Sequence, residues 1–284
     1  MRDAIDYWCN AFTPDRRALW DEAIAAQGIP LRVRSDSDDA FAEPAAMLAR
    51  LDAVGFRTLV LPTCERPAHA GATDFESMAA RPEELRALSA AHSGRIVGQW
   101  SIDPGQGIRG VRAAAAALAE AWCVGLHIHT HSWDRRLDHA DYYPYYALAA
   151  ERDVPVVVQA GASGGRMPSE CGRPIGIDRP ALYFPDVRFV LSHTGWPWVE
   201  EALAMAIKFS NVYLGTATFP PARWGQALLD FARGPGRSKI VFGTGYPVVG
   251  HVQASGQLAK LGFDPAARQR LVAANARAVF TRIV

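Results

Sequence analysis

Eight short runs of β-branched and apolar residues, spaced by alanine-rich helical stretches, constrain this fold more than any other feature of the chain. The runs lie at Ala4–Trp8, Thr58–Pro62, Ile96–Ser101, Val124–His129, Val156–Gln159, Arg188–His193, Val212–Thr216 and Lys239–Phe242. Several are almost unbroken apolar segments, as expected of parallel strands covered on both faces. Helical patterns fall at Arg16–Gln27, Ala45–Val54, Pro82–Ala91, Val111–Trp122, Tyr142–Arg152, Trp198–Phe209, Ala222–Arg233 and Pro265–Thr281. In the sixth, Val199, Leu203, Ala206 and Ile207 share one face at helical spacing. Alternating β and α segments predict a parallel sheet. Eight of them predict an α/β fold, a single (β/α)8 TIM barrel, and 284 residues suit it. A doubly wound open sheet is the alternative, but no Gly-x-Gly-x-x-Gly follows the first strand. With no repeat or linker, residues 1–284 read as one domain.

Charge narrows the partners. The formal net charge is +1 and both signs are scattered. That argues against nucleic acid and anionic membrane and for a small-molecule substrate. No apolar run approaches the roughly 20 residues of a membrane span, and no signal peptide opens the chain. A cytoplasmic location follows as the expectation, with a homodimer left open. The four cysteines, Cys9, Cys64, Cys123 and Cys171, form no Cys-x-x-Cys pair and read as reduced thiols.

In a barrel, the C-terminal ends of the strands face one cavity. Those ends carry Trp8 and Asn10, then Cys64, Glu65 and Arg66, Trp100, then His127, His129 and His131, Gln159, His193 and Trp196, Thr216 and Thr218, and finally Thr244 and Tyr246. The set is rich in aromatic and neutral polar groups. It lacks the cluster of three or more His, Cys or carboxylate ligands that a zinc site needs, so no cofactor is expected. Alternation predicts that His127 and His129 point inward, with His129 nearer the mouth. Three alternate histidines on one strand span about 13 Å and cannot surround one ion. His131 is expected to have left the strand for solvent. His193 ends an apolar strand, where an imidazole suits proton transfer. Two long loops, Pro30–Pro44 and Ala160–Asp178, are candidate flaps.

The strand ends also carry a resemblance. Ile5-Asp6-Tyr7-Trp8-Cys9-Asn10, Val156-Val157-Val158-Gln159, Val190-Leu191-Ser192-His193-Thr194-Gly195-Trp196 and Gly243-Thr244-Gly245-Tyr246-Pro247 resemble, in order and spacing, the amidohydrolase superfamily, in its amidohydrolase-related branch. That pattern has His-x-His on strand 1, His on strands 5 and 6, and Asp on strand 8. Here the positions hold Trp8, Asn10, Gln159, His193 and Gly245. The resemblance implies a barrel whose metal site has degenerated, with His193 retained as the acid–base residue and His127 or His129 as a second one. It also implies a substrate pocket drawn from Trp8, Asn10, Trp100, Gln159, Trp196 and Tyr246. Glu170 and Arg173, in the loop after Gln159, complete the expected binding residues, with Arg173 clamping a substrate anion or pairing with Glu170.

The function expected is metal-independent acid–base chemistry on a small organic acid or aromatic compound: decarboxylation, hydration, isomerisation, cyclisation or hydrolysis. The alternatives are a metal-dependent hydrolase or decarboxylase with a rearranged site, and an inactive small-molecule-binding barrel.

Overall fold

The computed structural model describes residues 1–27, 41–63 and 79–283. The expected flap within Pro30–Pro44 and the positions Cys64, Glu65 and Arg66 fall wholly or largely outside these residues. Eight parallel strands form one sheet in sequence order. They are β1 Ala4–Asp6, β2 Phe56–Pro62, β3 Ile96–Ser101, β4 Cys123–Ile128, β5 Val156–Val158, β6 Phe189–Leu191, β7 Val212–Gly215 and β8 Ile240–Val241. Past the regular strands the two ends meet. Cys9 and Tyr246 form a parallel bridge, and the Asn10 N–H donates to the Tyr246 carbonyl at 3.0 Å. The sheet therefore curls into a TIM barrel.

The helices are α1 Arg16–Gln27, α2 Pro44–Val54, α3 Pro82–Ala91, α4 Ile108–Ala117, α5 Thr130–Trp133, α6 Tyr143–Glu151, α7 Asp178–Tyr183, α8 Val199–Lys208, α9 Gln226–Arg233 and α10 His251–Ala259. A closing helix runs from Pro265 through a π-turn at Arg270–Ala274 to Val279. The sequence pattern anticipates all of these except α5, α7 and α10. α5 is a single turn, α7 contains Pro180, and α10 mixes serine, glycine and glutamine into a weak apolar stripe.

Strand alternation sorts the core into two shells. Leu59, Leu61, Leu126, Ile128, Phe189, Leu191 and Leu214 face outward and pack with the helices. Ile5, Tyr7, Val60, Val97, Val124, Val157, Val190 and Val241 face inward and fill the barrel with compact branched side chains. Ala276, Val279, Phe280 and Ile283 join this inner shell and plug the end opposite the mouth. Tyr7 is the aromatic among these inward strand residues. A Cβ on Gly215 would lie 2.0 Å from its hydroxyl, and one on Gly243 2.5 Å from its ring. Those two glycines make the room that a buried tyrosine needs.

Candidate active site

Three local distortions aim side chains at the mouth. The regular part of β1 stops at Asp6, whose buried carboxylate accepts the Trp8 N–H at 3.1 Å and the Thr244 N–H at 2.9 Å. The same carboxylate accepts from the Thr244 hydroxyl and, at 2.9 Å, from His251 Nε2. This knot bends the chain and turns Trp8 into the barrel. On β4, the pairing with β3 skips Val124, so His127 lies beside Ser101 and faces inward. After β6, His193, Thr194 and Gly195 take φ of 58°, 54° and 72°. That left-handed step, uncommon for non-glycine residues, swings His193 toward the mouth.

The resulting cavity is about 250 Å³, small enough for a compact ligand. Trp8, Asn10, His127, His129, Gln159, His193 and Trp196 line it, as the sequence led one to expect. Pro62, Thr63, Ala79, Trp20, Thr218, Phe219, Val248 and the stretch Ala162–Gly165 with Met167 make up the rest of the described wall. A larger open groove of about 680 Å³ lies on the far side of Trp196 and Phe219. Among the described residues no histidine lines it, whereas three line the smaller cavity.

The indole of Trp8 meets two imidazoles edge-on, His127 at 4.8 Å and His193 at 5.0 Å between ring centres. His193 Nδ1 lies 2.8 Å from Ser192 Oγ, which lies 2.8 Å from the Tyr7 hydroxyl. His127 Nδ1 lies 2.7 Å from Ser101 Oγ, and its Nε2 is buried without a partner among the described residues. An unsatisfied buried polar atom costs about 1–3 kcal/mol. His129 caps α5: its Nδ1 accepts the Ser132 N–H at 3.2 Å. Burial pushes His127 down to about 3, against the pull of the Thr63 carbonyl. Burial, with His131 and His127 nearby, pushes His193 down to about 3. Both rings are therefore neutral near pH 7.

Four expected binding residues lie elsewhere. Trp100 faces the helix layer because inward residues on β3 alternate, and Gln99 and Ser101 take the inward places. Tyr246 stacks on His251 at 4.8 Å, because Gly245 turns the chain with φ 62° and sends the ring outward. Glu170 is exposed and sits 3.7 Å from Arg136. The Arg173 guanidinium pairs with Glu201 at 3.2 Å and lies over Trp198, away from the cavity wall, and what joins Arg173 to Glu170 is a backbone hydrogen bond, the Arg173 N–H donating to the Glu170 carbonyl at 3.1 Å. The glycine-rich half of that loop lines the cavity, and the half with Glu170 and Arg173 does not. His131 is not solvated either. It is buried under the loop, with Nδ1 3.1 Å from the Pro168 carbonyl, and burial pushes it down to about 4.

Among the described residues, the positions Asn10, Gln159 and Gly245 bring no carboxylate or imidazole to the mouth. Asn10 is occupied as a brace, donating to the Tyr246 carbonyl at 2.8 Å and accepting from Trp8 Nε1 at 3.3 Å. A side chain at position 245 would start 2.6 Å from Thr218 N on a positive-φ backbone, so this turn as folded has no room for an aspartate. Among the described residues, the cluster of three metal-ligating types with ligand atoms within 4.8 Å is Asp6, Cys9 and His251. It lies in the β1–β8 seam, outside the cavity wall, and its carboxylate is already saturated with hydrogen bonds.

Tyr7, Ser101 and Ser192, which hydrogen-bond behind the two cavity imidazoles, are neighbours that sequence reading missed. Ser192 adjoins His193 and Tyr7 alternates with Ile5, so both left a faint signal. Ser101 left none, because its place beside His127 depends on the β3–β4 irregularity.

A family model described as Amidohydrolase matches residues 5–282. An uncharacterised TIM-barrel protein of Bordetella bronchiseptica is 20% identical, with 99% of each chain covered and a TM-score of 0.75. The 2,6-dihydroxybenzoate decarboxylase of Rhizobium is 16% identical, with 99% of each chain covered and a TM-score of 0.69. The 5-carboxyvanillate decarboxylase of Novosphingobium aromaticivorans, with bound manganese, is 14% identical over 99% of this chain and 97% of that one, at a TM-score of 0.71. No curated protein matches the chain. Among the described residues, no helix is long and apolar enough to cross a membrane.

Proposed function

Because the chain belongs to the amidohydrolase family, we propose that it is an enzyme that moves protons on a small aromatic or unsaturated organic acid with imidazoles, without a divalent metal at the barrel mouth. The observation that carries this reading is the edge-on contact of Trp8 with His193 and His127. An indole stands where a β1 ligand would have to meet the β6 histidine. Asn10, Gln159 and Gly245 supply no anionic donor to replace it. The remaining tools are neutral imidazoles in a small, largely apolar cavity, which suits general acid–base catalysis. Two proteins that share the fold decarboxylate 2,6-dihydroxybenzoate and 5-carboxyvanillate. Decarboxylation of a phenolic acid is therefore the first activity to assay, followed by hydration, isomerisation or cyclisation, and hydrolysis.

The test uses full-length protein dialysed against chelator, elemental analysis, and turnover on hydroxybenzoates and unsaturated acids. Turnover should persist without stoichiometric metal. His193→Asn should lower it about a hundredfold, and asparagine tolerates the left-handed backbone at that position. Stoichiometric metal whose removal abolishes turnover overturns the metal-free reading. Full activity in the variant removes His193 from the reaction.

A further inference from the structure

Resting on the acid–base reading above, we propose that hydrogen-bond relays lock the two cavity imidazoles in opposite neutral tautomers. His193 offers the cavity an Nε2–H donor, and His127 keeps Nε2 as a bare acceptor.

The direction of each relay follows from counting protons. The Tyr7 oxygen accepts the Ala217 N–H at 3.4 Å, so that contact cannot take the phenolic proton. Its acceptor among the described residues is Ser192 Oγ, at 2.8 Å. Ser192 then has its own proton left for His193 Nδ1, at 2.8 Å. A neutral ring that accepts at Nδ1 carries its proton on Nε2. The second relay runs the other way. The Ser101 hydroxyl is closely bonded to the Thr63 carbonyl, which has lone pairs only, so the serine proton is spent there. Ser101 Oγ can then only accept from His127 Nδ1, at 2.7 Å. The Thr63 carbonyl also acts on the His127 ring as an acceptor, in the same sense. His127 Nε2 is left as a buried lone pair with no partner among the described residues.

The two rings thus ask different things of a ligand. His193 wants an oxygen that accepts. His127 wants a hydrogen, and its buried lone pair stays unsatisfied until one arrives. A hydroxy acid taken up as the monoanion meets both demands, with carboxylate or carbonyl oxygen at His193 and the O–H still protonated at His127. The corresponding ether or phenolate dianion meets only the first.

The experiment labels the full-length protein with [15N]histidine and records long-range 1H–15N correlations without ligand, from pH 5.5 to 8. His193→Asn and His127→Asn assign the two rings by loss of their signals. His193 should show a protonated-type ε2 and a pyridine-type δ1 nitrogen, and His127 the reverse, both constant over the pH range. Tyr7→Phe removes one heavy atom and frees Ser192 to donate or accept, so the His193 pattern should become a mixture while His127 is unchanged. Like tautomers in both rings, an imidazolium at neutral pH, or an unmoved His193 pattern in Tyr7→Phe overturns the relays. These outcomes need no turnover, so they are separable from failure of the proposed activity. In binding, 2-hydroxybenzoate should outcompete 2-methoxybenzoate by roughly tenfold or more. Equal affinity would overturn the acceptor role of His127.

Discussion

The β1–β8 seam and the barrel mouth are built from the same kinds of side chain and use them in opposite ways. In the seam, Asp6 and His251 form a buried pair at 2.9 Å, and both carboxylate oxygens are occupied by Thr244, Trp8 and His251. In the mouth, His127 and His193 face an indole, with hydroxyls rather than carboxylates behind them. A fully hydrogen-bonded carboxylate holds its neighbours in one geometry. A hydroxyl relay orients an imidazole without adding charge, so burial depresses proton affinity and the ring stays available. The acidic group of this region is spent on closing the barrel, and the titratable rings left facing the cavity are imidazoles held without a carboxylate partner among the described residues.

The strongest way to break that contrast is Asp6→Ala. It strands His251, the Thr244 hydroxyl and two backbone N–H groups in the core. Removing one partner of a buried pair costs about 3–5 kcal/mol, so urea unfolding at neutral pH should show a loss of that size. Under about 1 kcal/mol would mean that the seam is not a lock. If added zinc raised the melting temperature of the parent protein and not of Cys9→Ser, the seam would be a metal site instead, since binding to the fold stabilises it.

How much of this was legible in the sequence divides along the same line. All eight strands were, because β-branched runs between helical patterns admit few other folds. The inward side chains His127, His129 and His193 were legible from alternation and from their places at strand ends. What failed was orientation at points where the backbone leaves its regular period. Tyr246 was lost to the positive φ of Gly245, whereas Trp100 takes an outward place by plain alternation in a strand that ends, as the sequence predicts, at Ser101. Arg173 was lost to a partner 28 positions away, Glu201, that no local pattern announces.

The next effect in size concerns acid. Unfolding frees an imidazole to titrate near 6.5, whereas in the fold burial holds His127 and His193 at about 3 and His131 at about 4. Below pH 6.5 the unfolded chain therefore binds more protons than the fold. Stability should fall as the pH drops from about 6.5 toward 4, by up to about 1.4 kcal/mol per pH unit for each imidazole. Above 6.5 these groups add no slope. His131→Asn keeps a donor for the Pro168 carbonyl and removes one titrating ring. Urea unfolding at pH 7 and pH 5 should give a smaller acid loss in that variant. Equal losses would show that His131 is already protonated in the fold, and would blur the line between mouth and seam.

The smallest effect is expected at the rim, where Arg173→Lys separates cavity from periphery. The Arg173 side chain is 41% exposed and its partner Glu201 17% exposed, so the pair lies largely in water's reach. Such pairs contribute about 1 kcal/mol or less, and the stacking on Trp198 at 5.5 Å adds an amount of similar order. Lysine keeps the charge opposite Glu201 and loses the planar fork. The variant should lose at most about 1 kcal/mol of stability and leave both kcat and KM where they were. The reason is geometric: the guanidinium points at α8, while the cavity wall of this loop is made by Ala162–Gly165 and Met167. Were KM to rise about tenfold with kcat unchanged, Arg173 would be binding substrate equally in ground and transition states. The loop would then have to move the arginine off Glu201 when substrate arrives, and the rim would belong to the mouth.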